Sequence, residues 1–229
     1  FLTPTVFRSV DNIIGELKTL KEQGIKYFRF VDDNFTLHPD FDSLCLKMVM
    51  LGIHYRCHTR SDLLTEMQAT LLNRSGCEEC SLGVESADAK VLKLNRKHIT
   101  VKQHAQAIAI LKKAGLKVKV YLMAGLPGET DETNRLNKEF ITSNKPEKWT
   151  LSTFTPYPGC DIYKNPGKYG VRITNPNWGN WWNFVIPVKG KTLPGRAGFV
   201  HVLDGQTVEE MSERYDKFYR WLLKGEWLK

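Results

Sequence analysis

The chain has 229 residues, 41% of them hydrophobic, enough to bury the core of one large domain or of one domain with an appendage. It contains no apolar run of about eighteen residues that would span a membrane, and Phe1-Leu2-Thr3-Pro4 lacks the basic-then-apolar pattern of a secretory signal; five cysteines, an odd number, imply no disulfide framework and fit a reducing, cytoplasmic setting. The net charge of +8 is spread along the chain, and its densest groups (Lys112-Lys113 with Lys117 and Lys119; Lys189, Lys191 and Arg196) are short, which favours solvated faces over a nucleic-acid surface and leaves anionic ligands open.

Apolar residues at helical spacing from Val10 to Leu20 predict a first helix, with Ser9 as its N-cap and Gly24 as its stop. The run Ile25 to Val31 reads as a strand. A second helix over Phe41 to Val49 stops at Gly52, and Ile53 to Thr59 reads as a strand. Thr65 to Ser75 predicts a third helix, stopped at Gly76, and Cys80 to Val84 a strand. A helix from Val101 to Leu111 follows a Thr100 cap and stops at Gly115. Leu116 to Ala124 is the clearest strand, with Val118, Val120 and Leu122 on one face. Thr130 to Asn144 is a polar helix, and Trp149 to Phe154 a fifth strand. From Pro156 the chain turns rich in Pro, Gly and Asn and reads as loops. It holds Trp178, Trp181 and Trp182, for which packing is favoured over stacking on a flat substrate. A capping box at Thr207 to Glu210 then opens a final amphipathic helix through Val208, Met211, Tyr215, Phe218, Trp221 and Leu222.

Strand–helix alternation demands a parallel sheet with right-handed crossovers. A barrel, a partial barrel and an open doubly wound sheet all fit. In each, ligands bind at the carboxyl ends of strands, and four such ends carry chemistry. Glu85, closing the strand before Ser86, can accept hydrogen bonds from both hydroxyls of a ribose. Gly125-Leu126-Pro127-Gly128 leaves room for a flat ring whose edge backbone groups could read. Asp32-Asp33-Asn34 could hold an ammonium group or a divalent metal, with one Asp facing the site. Arg60 could fork onto a carboxylate. Each also has an ordinary reading: a helix-capping Glu, a strand-to-helix turn, a polar loop, and a surface ion pair to Asp62. Taken singly, the ordinary reading prevails. Cys77-Glu78-Glu79-Cys80 is not read as a metal site, because an offset of three on a strand sends the two thiols to opposite faces and no second pair follows.

Taken in order, these motifs resemble the radical SAM superfamily, nearest its cobalamin-binding-domain and Elp3-like branch. The matching string runs from Arg8-Ser9-Val10 through Phe30 to Phe35, Thr59-Arg60-Ser61-Asp62 and Ser75-Gly76-Cys77. It continues through Gly83-Val84-Glu85-Ser86, Leu92, Asn95-Arg96-Lys97, Ala114-Gly115-Leu116 and Gly125 to Thr130, and ends at Thr155 to Cys160. The resemblance implies a partial (β/α)6 TIM-like barrel over residues 1–156, missing its first strand. Residues 157–229 are then a loop-rich C-terminal extension ending in a helix. It implies S-adenosylmethionine as cofactor. Asp32, Asp33 and Asn34 match the motif at the methionine amino group, and Arg60 an arginine near the methionine carboxylate. Glu85 and Ser86 match the ribose motif, Gly125, Leu126, Pro127 and Gly128 the adenine region, and Thr155, Pro156 and Tyr157 a last strand end at the adenine.

The departure from the family is large. The C-x3-C-x2-C loop that holds an iron–sulfur cluster has no match, so the cluster ligands are not in this chain and Phe1 reads as an internal residue of a longer enzyme. By the resemblance that enzyme cleaves S-adenosylmethionine reductively for a methylation, ring-forming or rearrangement reaction. Cobalamin is a further cofactor of that branch, and a flavodoxin or ferredoxin a reductant. The small-molecule substrate and the catalytic residues are not specified, and this chain alone is expected to be inactive. Two alternatives stay open: a non-catalytic barrel that binds a nucleoside or a protein, and an unrelated α/β enzyme with a metal on Asp32 or Asp33.

Overall fold

The computed structural model of the protein describes residues 5–181, 198–225 and 227. In chain order the elements are α1 (Val10–Glu22), β1 (Tyr27–Arg29), α2 (Phe41–Leu51), β2 (His54–Thr59), α3 (Glu66–Arg74), β3 (Cys77–Glu85), α4 (Ala89–Leu94), α5 (Val101–Lys113) and β4 (Lys117–Ala124). They continue with α6 (Asp131–Asn144), β5 (Lys148–Thr153), α7 (Asp161–Lys164), β6 (Val171–Ile173), β7 (His201–Leu203) and α8 (Val208–Lys224). The first five strands form one sheet in the order β1-β2-β3-β4-β5, and β6 pairs with β7 in a second. β1, β2 and β3 pair in parallel, and each successive strand of the sheet is reached through at least one helix, the connection that parallel pairing requires. A doubly wound sheet reverses its strand order at a switch point. Here the order never reverses, which matches a partial (β/α) barrel wound in one direction. No helix of the described residues is long and apolar enough to cross a membrane.

Two compact units make up the chain. The first holds the chain to Gly83, Lys102–Val120 and Pro146–Lys148; the second holds Val84–Val101, Tyr121–Lys145 and the chain from Trp149. In the first, Ser9 caps α1 by accepting the Asn12 N–H, and Val10, Ile14 and Leu17 are the buried stripe. Thr65 and Gln68 form a reciprocal capping box on α3. Leu44, Met48 and Leu72 pack fully buried between α2, α3 and the sheet. On β2 the buried residues are Tyr55, Cys57 and Thr59, alternating with exposed His54 and Arg56. In the second unit, α8 presents Met211, Tyr215, Phe218, Tyr219 and Leu222 inward and starts from the Thr207–Glu210 capping box.

Five expectations need correction. β1 spans three residues rather than Ile25 to Val31, because Ile25 and Val31 are exposed and the ladder to β2 stops at Arg29. β3 starts at Cys77, not Cys80, and its register against β2 jumps from Tyr55↔Cys77 to Arg56↔Glu79. That bulge at Glu78 restores equal parity to the two cysteines: Cys77 and Cys80 are both buried rather than on opposite faces, and the Cys57 and Cys77 sulfurs lie 3.8 Å apart. A short helix, α4, fills a stretch with no periodicity of its own, capped by the Asp88 carboxylate. The Pro- and Gly-rich tail contains the antiparallel pair β6–β7. Within it Trp181 is buried beside Trp178, ring centroids 6.2 Å apart; Trp182, with Lys189, Lys191 and Arg196, lies outside the described residues.

Gly76 ends α3 at φ +95°, where a Cβ would sit 2.0 Å from the Ile53 carbonyl oxygen. Gly76→Ala is therefore expected to cost about 2 kcal/mol or more, since the clash is with backbone and the φ is hostile to L residues. Urea denaturation followed by circular dichroism measures it; an unchanged midpoint would contradict the packing of α3 onto β2.

Candidate functional site

Glu85 is the last residue of β3 and takes φ +63°, a left-handed value rare outside glycine. The Ser86 N–H donates to the Val84 carbonyl at 2.8 Å, so Glu85 is the centre of a three-residue turn. Strain of this kind persists only where the surroundings over-determine it, and it clusters at ligand sites. The surroundings here are clear. Asn137 accepts the Ala87 N–H at 2.6 Å, Ser86 accepts the Asp88 N–H at 3.1 Å, and Asp88 accepts the Thr133 hydroxyl at 2.9 Å while capping α4. The turn thus fixes the Glu85 backbone and leaves its carboxylate half-buried, 3.3 Å from the Lys97 ammonium.

That carboxylate opens onto a cavity of about 370 Å³. Val91, Leu92, Met123, Leu126, Phe154 and Ile162 supply an apolar wall; Asn95, Lys97, Thr155 and Tyr157 add polar groups. One carboxylate on an apolar wall is the composition of a site for a flat ring bearing a diol. Of the sequence-predicted residues, Glu85, Leu126, Thr155 and Tyr157 line this cavity. Ser86 does not: it is fully buried with its hydroxyl engaged on Asp88.

The Gly125 to Gly128 turn is built differently from the expectation of open backbone groups. Gly125 donates its N–H to Glu129 at 2.8 Å, and its carbonyl bonds His201 Nε2 at 2.7 Å. Asn95 donates to the Pro127 carbonyl at 3.0 Å, and the Leu126 carbonyl accepts the Glu129 N–H. These groups hold the turn, so its contribution to the cavity is the Leu126 side chain. Gly125 itself has no substitute: at φ +79°, a Cβ would meet the Phe199 ring at 2.4 Å. Burial, opposed by the Gly125 N–H and the Arg214 guanidinium 3.9 Å away, pushes the Glu129 carboxyl up to about 7. His201 is buried and neutral-leaning: burial lowers its pKa, and the Gly125 carbonyl opposes.

In the first unit Asp32 and Asn34 line a separate cavity of about 410 Å³ with Phe7, Arg8 and His38, whereas Asp33 does not reach it. Asn34 accepts hydrogen bonds from Thr36 at 3.1 Å and Thr59 at 3.0 Å, and its buried Nδ2 has no partner. Arg60 forks onto Asp62 at 3.1 and 2.9 Å and holds that carboxyl below the usual carboxylate range. Lys97, Asn95, Met123 and Glu129 carry roles that sequence reasoning did not assign. Asn95, Lys97 and Glu129 had a signal only as positions within the matching string, and Met123 had none beyond its place in the β4 alternation.

The Glu85 cavity, about 370 Å³ with one carboxylate on an apolar wall, has the size and composition of a site for a small organic ligand. An iron–sulfur cluster does not fit: among the described residues no group of three or more His, Cys, Asp or Glu could hold a metal ion. The four thiols of the first unit, Cys45, Cys57, Cys77 and Cys80, are buried. Burial pushes Cys45 up to about 12, and the neighbouring thiols push Cys57 up as well.

The profile of the Radical SAM superfamily matches residues 2–139. Bacteriochlorophyllide d C-12(1)-methyltransferase of Chlorobaculum tepidum is 26% identical over 235 residues, 97% of this chain and 48% of that enzyme. The chain thus spans about half the length of that relative. Two solved structures share the fold. Coproporphyrinogen III oxidase (HemN) of Escherichia coli, a radical SAM enzyme, superposes at a TM-score of 0.61 with 11% identity, over 96% of this chain and 48% of that one. The methyltransferase TsrM of Kitasatospora setae, with cobalamin and a [4Fe-4S] cluster bound, superposes at 0.57 with 19% identity, over 63% of this chain and 31% of that one.

Glu129 gives the turn a pH signature. Its folded pKa, about 7, lies above the ordinary value of 4.5. The folded state therefore holds more protons between those values, and the stability it contributes is complete below about 4.5 and lost as pH rises through about 7. Glu129→Gln keeps an acceptor for the Gly125 N–H and cannot ionise. At pH 8 its thermal midpoint is expected above that of the parent chain, and near pH 5 the two should converge. A Glu129→Gln midpoint that stays at or below the parent's at pH 8 would contradict the raised value.

Proposed function

The chain belongs to the radical SAM superfamily, and we propose that it is the S-adenosylmethionine-binding part of a longer radical SAM enzyme. The observation that carries this reading is the Glu85 cavity. A strained strand-end residue presents its carboxylate to an apolar wall from the ends of β3, β4 and the segment after β5. In this reading Glu85 accepts hydrogen bonds from the two ribose hydroxyls, with Lys97 holding the carboxylate in place. Met123, Leu126, Phe154 and Ile162 sandwich the adenine, and Thr155 and Tyr157 close its edge, with Pro156 setting the bend between them. Ser86, Gly125, Pro127 and Gly128 act through the backbone by fixing these walls. In the first unit, Asn34 has a buried donor without a partner.

S-Adenosylmethionine supplies the radical precursor or the methyl group when bound. The cluster that makes it reactive is assigned to residues outside this chain, because no described ligand set fits it. The likeness to a methyltransferase supports methylation as the reaction, with ring formation or rearrangement as the other outcomes within the family, and cobalamin as a second cofactor of the whole enzyme.

Calorimetric titration of the chain with S-adenosylmethionine and S-adenosylhomocysteine tests the reading. Saturable binding is expected, and Glu85→Ala should weaken it by ~1–3 kcal/mol, the loss of charge-assisted hydrogen bonds to the ribose. Unchanged affinity would remove the ribose assignment from Glu85.

A further inference from the structure

Parallel strands covered on both faces read as near-continuous apolar runs. The strands of the first unit do not. Tyr27 and Arg29 on β1, His54 and Arg56 on β2, and Lys117 on β4 are exposed, in alternation with buried neighbours on β2 and β4. Arg29 and Arg56 are register partners. Adjacent strands lie about 4.8 Å apart, and like charges directly opposite one another destabilise a sheet.

The sheet has a carboxylate in place to answer them and uses it elsewhere. Glu79 is in register with Arg56 on the next strand, but its carboxylate is held by Lys148 at 2.5 Å. Glu78 is held by His54 at 2.9 Å. Among the described residues no carboxylate lies within ion-pair distance of Arg29, Arg56 or Lys117. These three cations line a cavity of about 320 Å³, with Tyr27, the His54-paired Glu78 and the Glu79–Lys148 pair on its wall. His58, two residues beyond Arg56, registers the local field. Its pKa is lowered first by its own burial and then by Arg29 and Lys119, against the opposing pull of Asp33.

We propose that this cavity binds a small organic polyanion, a ligand carrying two or more carboxylate or phosphate groups. Guanidinium forks match both groups bidentately. Two forks in register, with Lys117 as a third charge, suit several negative groups better than one. The volume is that of an organic ligand rather than of a single inorganic anion. The inference stands on residues of the first unit alone and does not rest on the nucleoside reading. S-Adenosylmethionine titration reads the Glu85 cavity separately, so either can fail without the other.

The test is calorimetric titration of the 229-residue chain, at low ionic strength, with citrate and with pyrophosphate. Saturable binding of at least one probe is expected. Arg29→Gln and Arg56→Gln should each weaken it by about tenfold or more, the loss of one charge-assisted pair. Lys217→Gln, which removes one cation from α8, should leave it unchanged. Tighter citrate binding assigns a carboxylate ligand, and tighter pyrophosphate binding a phosphorylated one. No saturation with either probe, or equal weakening by Lys217→Gln, would overturn the site. Folding supplies a second readout. Without anion, each Arg→Gln variant should melt at or above the parent, because repulsion is relieved, and should lose the rise in midpoint that citrate gives the parent. Variants that melt below the parent with or without citrate would make the arginines structural and overturn the proposal.

Discussion

The second unit depends on a residue that has no room to be anything but glycine. Gly125 sits where β4 ends, at φ +79°, with the Phe199 ring 2.4 Å from where a Cβ would stand. Both of its backbone polar groups are committed, to Glu129 and to His201. That double grip fixes the path of the chain from β4 to α6 and makes the partners of the turn obligatory. A carboxylate as buried as Glu129 needs donors, which come from the turn itself, while Arg214 of α8 stands 3.9 Å away. His201 comes from β7. Elements remote in sequence are thus tied to one tight turn by hydrogen bonds, and the Leu126 side chain is delivered to the cavity wall as a result.

Much of this was legible in the sequence, for reasons that differ by element. Helices announced themselves where an amphipathic stripe, a capping residue and a glycine stop agreed, as in α1 and α5. β4 was legible because strict alternation ran for its whole length. Glu85 stood out only through its place in the ordered set of motifs, because a carboxylate at a strand end taken alone reads as a helix cap. Short elements were not: the six residues of α4 and the three each of β6 and β7 carry less than two periods of their pattern. The Lys97 partner of Glu85 follows Arg96 at φ +53° and precedes His98 at φ +52°. Those backbone turns have no glycine to advertise them. Nor does sequence say whether a turn's donors are free. Gly125 looked available to a ligand and is held by the protein.

The bulge at Glu78 is the feature that alternation could not foresee. One extra residue in β3 changes which face each later side chain takes. It gathers Cys77 and Cys80 on one buried side near Cys57 and sets Glu79 in register with Arg56. The inference that an offset of three separates the two thiols was sound for a regular strand. It failed because the strand is not regular.

The handling of charge separates accidental from built features. Glu79, Glu85 and Glu129 are buried or half-buried, and each has a basic group within 4 Å: Lys148, Lys97 and Arg214. The chain is thus not short of means to pair charges, and it carries 25 acidic residues against 33 basic ones. Arg29 and Arg56 nonetheless stand side by side on neighbouring strands, while the nearest glutamate in register serves a lysine. Solvent screening tempers that repulsion on an exposed face, so the arrangement is tolerable without a ligand. It is favourable only with one, because an anion laid across the two guanidinium groups turns the repulsion between them into shared binding.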